Sequence, residues 1–168
     1  MLDTQSVDQK YSIDTSSLID GYADAVGRNI IENLIRQDKL KAPPGVLGEL
    51  EVGGDKVFEW AKLREKSLIK ELSPVSASRL GDLVDKYGDP FSDPDSPGMI
   101  YRGLIKKGTS SDADPEVIAL ALDYNWTVVS EEQSGIKGAC KIEKVNCISL
   151  KKLFETEMPK RERQLPLV

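Results

Sequence analysis

The chain has 168 residues, 39% of them hydrophobic and 30% charged, which suits one soluble globular domain with a sizeable core. Its net charge of -5 argues against a protein that coats nucleic acid through a broad basic surface, while leaving room for a local basic groove. It has no histidine, which removes Ser-His-Asp triads, His-Asp phosphohydrolases, zinc peptidases and His-based ribonucleases together.

In chain order, residues 1–10 read as a polar N-terminal extension without the basic start and apolar stretch of an export signal. Tyr11 to Ile13 reads as the end of a short strand, followed by Asp14 and the capping residues Thr15, Ser16 and Ser17. From Arg28, Ile30, Ile31, Leu34 and Ile35 recur at helical spacing and predict an amphipathic helix. Pro43 and Pro44 punctuate the chain, and VLGELE begins a further helix or turn. The spacing of Val57, Trp60, Ala61, Leu68 and Leu72 predicts one helix over 56–72, stopped at Ser73 and Pro74, and Leu80, Leu83, Val84 and Tyr87 predict another over 78–87.

GDPFSDPDSPG reads as a surface turn. Asp114 and Pro115 suit the cap and first turn of a helix carrying Val117, Ile118, Ala121 and Leu122, which Asn125 can close. WTVVS and KVNCISL read as short strands, Lys151 to Glu157 as a last helix, and 158–168 as a tail. The expectation is a single domain over 11–157. Strands alternating with helices predict an α/β fold with a mainly parallel sheet. No apolar run is long enough to cross a membrane, and the chain reads as cytoplasmic, with Cys140 and Cys147 as reduced thiols. Trp126 and Val128 read as core, and Trp60 as core or partner interface.

Without histidine, chemistry falls to carboxylates, lysines or hydroxyls, and a catalytic metal with oxygen ligands would be Mg²⁺ or Mn²⁺. Asp14 stands where the first strand ends, the position where α/β folds gather their sites. An aspartate after a buried strand is costly unless it is paired, capping or metal-bound. Asp3, in the similar MLDTQS, has no strand before it and serves as a decoy. Glu49 lies on the helix after the two prolines, Asp114 heads a helix with Asp112 as its rival, and Glu132 follows the strand WTVVS, two residues after Ser130.

The stretches SIDTSSLI, VLGEL and DPEVIALA, in this order and spacing, resemble the PIN domain, the nuclease fold of VapC-type toxins. They match its strand-end hhDTSxLI, its hxxEh and its aspartate heading a helix of small residues. VVSEE matches the family's T-x-D loosely, with Glu132 where an aspartate is usual. The resemblance covers residues 11–150, and CKIEKVNCISL is similar to a PIN-like branch. The stretch from Lys56 to Gly108 is longer than in the smallest toxins.

The resemblance implies a three-layer α/β/α fold around a central, mainly parallel sheet. It implies Asp14, Glu49 and Asp114 as ligands of Mg²⁺ or Mn²⁺, and Glu132 as a fourth acid acting directly or through water. It places Ser16 as a hydroxyl supporting the first aspartate and Ser130 at the family's threonine. It implies endonucleolytic cleavage of RNA, with DNA left open, by the toxin of a toxin–antitoxin pair. A cognate antitoxin blocking the cleft and a homodimer are the implied partners, with no membrane. Lys106, Lys107, Lys137 and Lys141 are candidates for guiding the RNA backbone, and Lys160, Arg161 and Arg163 in the tail for touching RNA or a partner. Two other readings stand beside this one. A catalytically silent PIN-like module would bind RNA or protein without cutting. A phosphatase of haloacid-dehalogenase type also starts from strand–Asp, but its chemistry wants an aspartate where this chain has Ser16.

Overall fold

The structure, a computed structural model, describes residues 9–54, 56–106 and 112–158. Its first strand, β1 (Tyr11–Ile13), is buried at every position and is followed by α1 (Thr15–Ala23) and α2 (Ala25–Arg36). The apolar stripe of α2, with Ile30, Ile31, Leu34 and Ile35, faces the core as its spacing predicts. Next come β2 (Leu40–Lys41), α3 (Pro44–Gly53), α4 (Lys56–Leu63), α5 (Glu65–Leu68) and α6 (Pro74–Tyr87). A hairpin of β3 (Phe91–Ser92) and β4 (Ile100–Tyr101) leads to α7 (Ala113–Tyr124), β5 (Thr127–Val129), α8 (Gly135–Glu143), β6 (Cys147–Ile148) and α9 (Leu150–Glu157).

Among the described residues the main sheet has the order β2-β1-β5-β6, and every pairing in it is parallel. From β1 the chain steps outward to β2, then returns past β1 to β5 and β6. With right-handed crossovers, α1 and α2 cover one face, and α7 and α8 the other. The packing agrees: α2 lies against β2, α7 against β1 and β5, α8 against β6, and α9 returns to α2. The result is an α/β/α arrangement around a core of Tyr11, Ile13, Leu40, Val128 and Val129 from the strands, with Leu18, Ile31, Leu34, Val117 and Ile118 from the helices. Asn125 closes α7 in the left-handed conformation. Trp60 and Val128 are buried, while Trp126 is half-buried and stacks on Tyr124 at 4.7 Å.

Four local expectations change. The helix expected over 56–72 is broken: Arg64 separates α4 from α5, and Ile69 leaves the helix to bridge beside Ala42. Ser73 and Pro74 start a helix as well as ending one. The Ser73 hydroxyl accepts from Ser76 N at 3.0 Å, so α6 begins at Pro74 rather than Ser78. The segment read as a surface turn holds a hairpin strand and the buried Asp93, which accepts from Tyr101 Oη at 2.6 Å and Lys141 Nζ at 2.7 Å. Finally, α7 begins at Ala113, with Asp112 at the capping position and Asp114 inside the first turn. Asp114 is therefore not the cap.

Candidate functional site

The strand order reverses between β1 and β5, and the crevice beyond their carboxyl ends is where open α/β sheets bind ligands. Asp14 leaves β1 there and Ser130 leaves β5. The register Ile13↔Val129 makes them neighbours, and the Ser130 hydroxyl donates to Asp14 Oδ2 at 2.5 Å. Asp14 Oδ1 accepts from Ser17 N at 2.9 Å and caps α1. Ser16 is exposed, and the bonds that hold Asp14 come from Ser17 and Ser130 instead.

The N-terminus of α7 reaches the same crevice because this helix runs against the strands. Ser12 Oγ donates to Val117 O at 2.8 Å, which ties β1 to α7. From that tie, two strand residues lead to Asp14, and about three helical residues lead back to Asp114, rises of roughly 7 and 5 Å toward the same end. Asp114 is buried there, while Asp112 is exposed and makes no side-chain cap bond. Between these rivals, Asp114 is the residue placed in the crevice.

Glu49 is half-buried on α3, which packs against both α1 and α7. A residue without a sequence signal sets that docking: Glu116 Oε2 accepts from Gly45 N at 2.7 Å, in the first turn of α3. Burial pushes the Glu116 carboxyl up, the Gly45 bond opposes this, and Asp112, Glu71 and Glu49 add to the rise.

Glu132 is committed to α8. Oε1 accepts from Ser134 N at 3.2 Å and Gly135 N at 2.8 Å, and Oε2 accepts from Ile136 N at 2.6 Å. This glutamate thus satisfies the first backbone donors of a helix. Its own N donates to Ser130 Oγ at 3.1 Å, so one hydroxyl links Asp14 to the Glu132 loop.

A cation from this chain, missed in the sequence, sits among these acids. Arg102 Nη2 lies 3.2 Å from Asp114 Oδ2 and 3.3 Å from Glu132 Oε1, while Nη1 donates to Gly103 O at 2.9 Å. Its backbone is fixed as well: Arg102 N donates to Ser134 Oγ at 2.8 Å, and a Cβ on Gly135 would stand 2.6 Å from Arg102 O.

Electrostatics binds the group together. Burial pushes the Asp14 carboxyl above its usual range, the Ser130 and Ser17 bonds oppose this, and the field of Glu132 adds to it. Burial also pushes Asp114 up. There the field of Lys106 and the bond from Arg102 pull it down, and Glu49 pushes it further up. Asp14 feels Glu132, and Asp114 feels Glu49. Among the described residues, Thr15 Oγ1, one residue from Asp14, and Ser17 Oγ are buried and have no hydrogen-bond partner. Among the described residues, no three His, Cys, Asp or Glu side chains are gathered tightly enough to hold a metal as they stand.

Of the lysines expected to guide RNA, exposed Lys106 acts on Asp114, and Lys107 lies outside the described residues, as do Lys160, Arg161, Arg163 and Asp3. Lys137 is exposed and donates to Gln133 Oε1 at 2.9 Å. Lys141 is turned away to Asp93, where it lines a cavity of about 390 Å³ with Tyr101, Cys140 and Cys147. Both thiols are free.

The fold has a counterpart among solved structures. The crystal structure of VapBC2 from Rickettsia felis, bound to a DNA fragment from their promoter, is similar over 84% of this chain and 98% of that one, with 20% identity and a TM-score of 0.50. The likeness is one of fold, and it agrees with the PIN-like α/β/α architecture expected from the sequence. No curated protein matches the chain. A family model described as a domain of unknown function, DUF4411, matches residues 11–160, and the chain belongs to that family.

Proposed function

We propose that the chain is a divalent-metal-dependent endoribonuclease of PIN type, the toxin of a toxin–antitoxin pair, with the crevice beyond β1 and β5 as its active site. The observation that carries this reading is the burial of Asp14 and Asp114 at the strand-order reversal, both with carboxyl groups pushed up and both in the field of a further acid.

A hard divalent cation fits this donor set. The available side-chain groups are oxygens, and Mg²⁺ is commonly held by one or two carboxylates, waters and substrate phosphate rather than by a complete protein cage. Asp14 and Asp114 would hold it, with Glu49 as the third acid. Glu132 would act at one remove, since its oxygens already serve α8 and Arg102. When bound, the metal lowers the pKa of its water and draws charge from a phosphodiester. The protein's own part is positional. Ser130 and Ser17 orient Asp14, Glu116 docks the helix of Glu49, and Lys106 brings positive charge to the Asp114 side. The cognate partner would be an antitoxin covering the crevice.

The test is cleavage of a panel of structured and single-stranded RNAs by antitoxin-free protein, with Mg²⁺, Mn²⁺ or EDTA. Wild type is run beside Asp14→Asn and Asp3→Asn. Metal-dependent cleavage lost only in Asp14→Asn is the expected result. Well-folded wild type that binds these RNAs and cuts none with either metal would instead make the chain a silent binding module.

A further inference from the structure

Arg102 is the feature that the proposed chemistry leaves unused. Its guanidinium spans Asp114 and Glu132 at 3.2 and 3.3 Å, and its side chain is 38% exposed. The contact is anchored on several sides. The Arg102 backbone is tied to Ser134, its carbonyl abuts Gly135, and a Cβ on the following Gly103 would stand 2.8 Å from the Asp89 carbonyl carbon. These contacts seat the segment between α8 and the loop at Asp89. One guanidinium nitrogen, Nη2, reaches both carboxylates while Nη1 holds the Gly103 carbonyl, a planar two-nitrogen arrangement that a lysine ammonium does not reproduce. Buried acids must be neutralised by protonation or by a cation; of the chain's own cations, Lys106 acts on Asp114 through its field, and Arg102 touches it directly.

We propose that Arg102 is the resident counter-ion of the acidic crevice, occupying Asp114 until a divalent cation displaces it. The proposal rests on the metal reading above and adds a competitor to it. Asp114 Oδ2 cannot give its full charge both to Arg102 and to a metal. Metal entry therefore requires the guanidinium to loosen from Asp114, while its second partner, Glu132, keeps it within the site. Arg102 is a positioning residue here: it sets the threshold for metal loading and holds the acids in register beforehand. By linkage, whatever weakens the Arg102 bridge tightens the metal, and bound metal loosens the bridge.

The test is a Mn²⁺ titration followed by electron paramagnetic resonance, without substrate, on wild type and Arg102→Ala. The variant is expected to bind Mn²⁺ about tenfold more tightly, a coupling within the range usual for linked ligands. Guanidinium chloride, at concentrations well below those that unfold the variant, should weaken Mn²⁺ binding to Arg102→Ala more than equal sodium chloride does. It should barely affect wild type. If Arg102→Ala does not fold, Arg102→Lys keeps the charge and most of the stem, loses the second nitrogen that anchors the group to Gly103 O, and should shift affinity in the same direction. Mn²⁺ binding that is equal in wild type and variant, or weaker in the variant, overturns the proposal and leaves the metal reading standing. Guanidinium acting like sodium also overturns it, since the missing charge alone would then explain the tighter binding. Absence of Mn²⁺ binding in both proteins overturns the metal reading itself.

Discussion

Replacing Glu132 with alanine separates two roles for this acid. The carboxylate accepts the N–H of Ser134, the N-cap of α8, at 3.2 Å and those of Gly135 and Ile136 in its first turn at 2.8 and 2.6 Å, and it touches Arg102 at 3.3 Å. Loss of a single N-cap acceptor costs about 1 kcal/mol, and hydrogen bonds to charged groups are stronger than neutral ones. Water can reach this half-buried side chain and replaces part of what is lost. The partly exposed Arg102 pair adds at most about 1 kcal/mol after solvent screening. Relief of the field on Asp14 acts in the opposite direction. The balance is a loss of about 2–3 kcal/mol, or a fall in Tm of roughly 5–10 °C for a chain of this size. Thermal melting in EDTA, followed by circular dichroism, reads it. A metal-free Tm that is unchanged or raised would refute the reasoning, because it would show that Glu132 is a repelled acid awaiting a metal rather than the cap of α8.

Further outcomes follow from the same contacts. Asp14→Asn keeps an acceptor for Ser17 and removes a buried charge, so it should raise the metal-free Tm by a few degrees, for a gain of about 1 kcal/mol. The sign with pH is set by the raised carboxyls of Asp14 and Asp114: their penalty is absent below the unfolded pKa and grows as pH rises through the folded values. The Tm advantage of Asp14→Asn over wild type should therefore shrink on acidification from neutral pH toward pH about 4, the unfolded range. Asp93 has the opposite sign. Lys141, then Tyr101 and the Asp95 backbone, hold its carboxyl down at about 2. Asp93→Asn should thus lower Tm near neutral pH, and the deficit should close as pH falls toward that value. Gly135→Ala would drive a Cβ to 2.6 Å from Arg102 O and should cost about 1–3 kcal/mol in a urea melt.

The legible parts of this molecule were those written in local pattern. The YSI strand, Asp14 after it and the TVV strand stand where short apolar runs and capping chemistry put them, and the same short spans carried the PIN resemblance. Asp112 and Asp114 could not be separated, because both can head a helix and only the docking of α7 on β1 decides which is buried. Glu132 was legible as an acid after a strand, while its helix was not. GIKGACKIE carries two glycines, and α8 accepts them because Gly135 abuts Arg102 and Gly138 abuts the ring of Tyr101. Arg102 had no local signature at all. Its partners lie 12 and 30 residues away, and only the hairpin before it carries it into the crevice. Lys141 was misplaced for a similar reason: its partner, Asp93, sits in a segment whose prolines and aspartates read as a surface turn.

The acids beyond β1 and β5 are proposed to form a divalent-metal site. A crystal of the protein soaked in millimolar Mn²⁺ tests it most directly, through the anomalous signal of the metal. One or more Mn²⁺ peaks are expected within coordination distance of Asp14 or Asp114, lost in crystals of Asp14→Asn. An empty crevice at saturating Mn²⁺, with Arg102 still seated on Asp114, would contradict it.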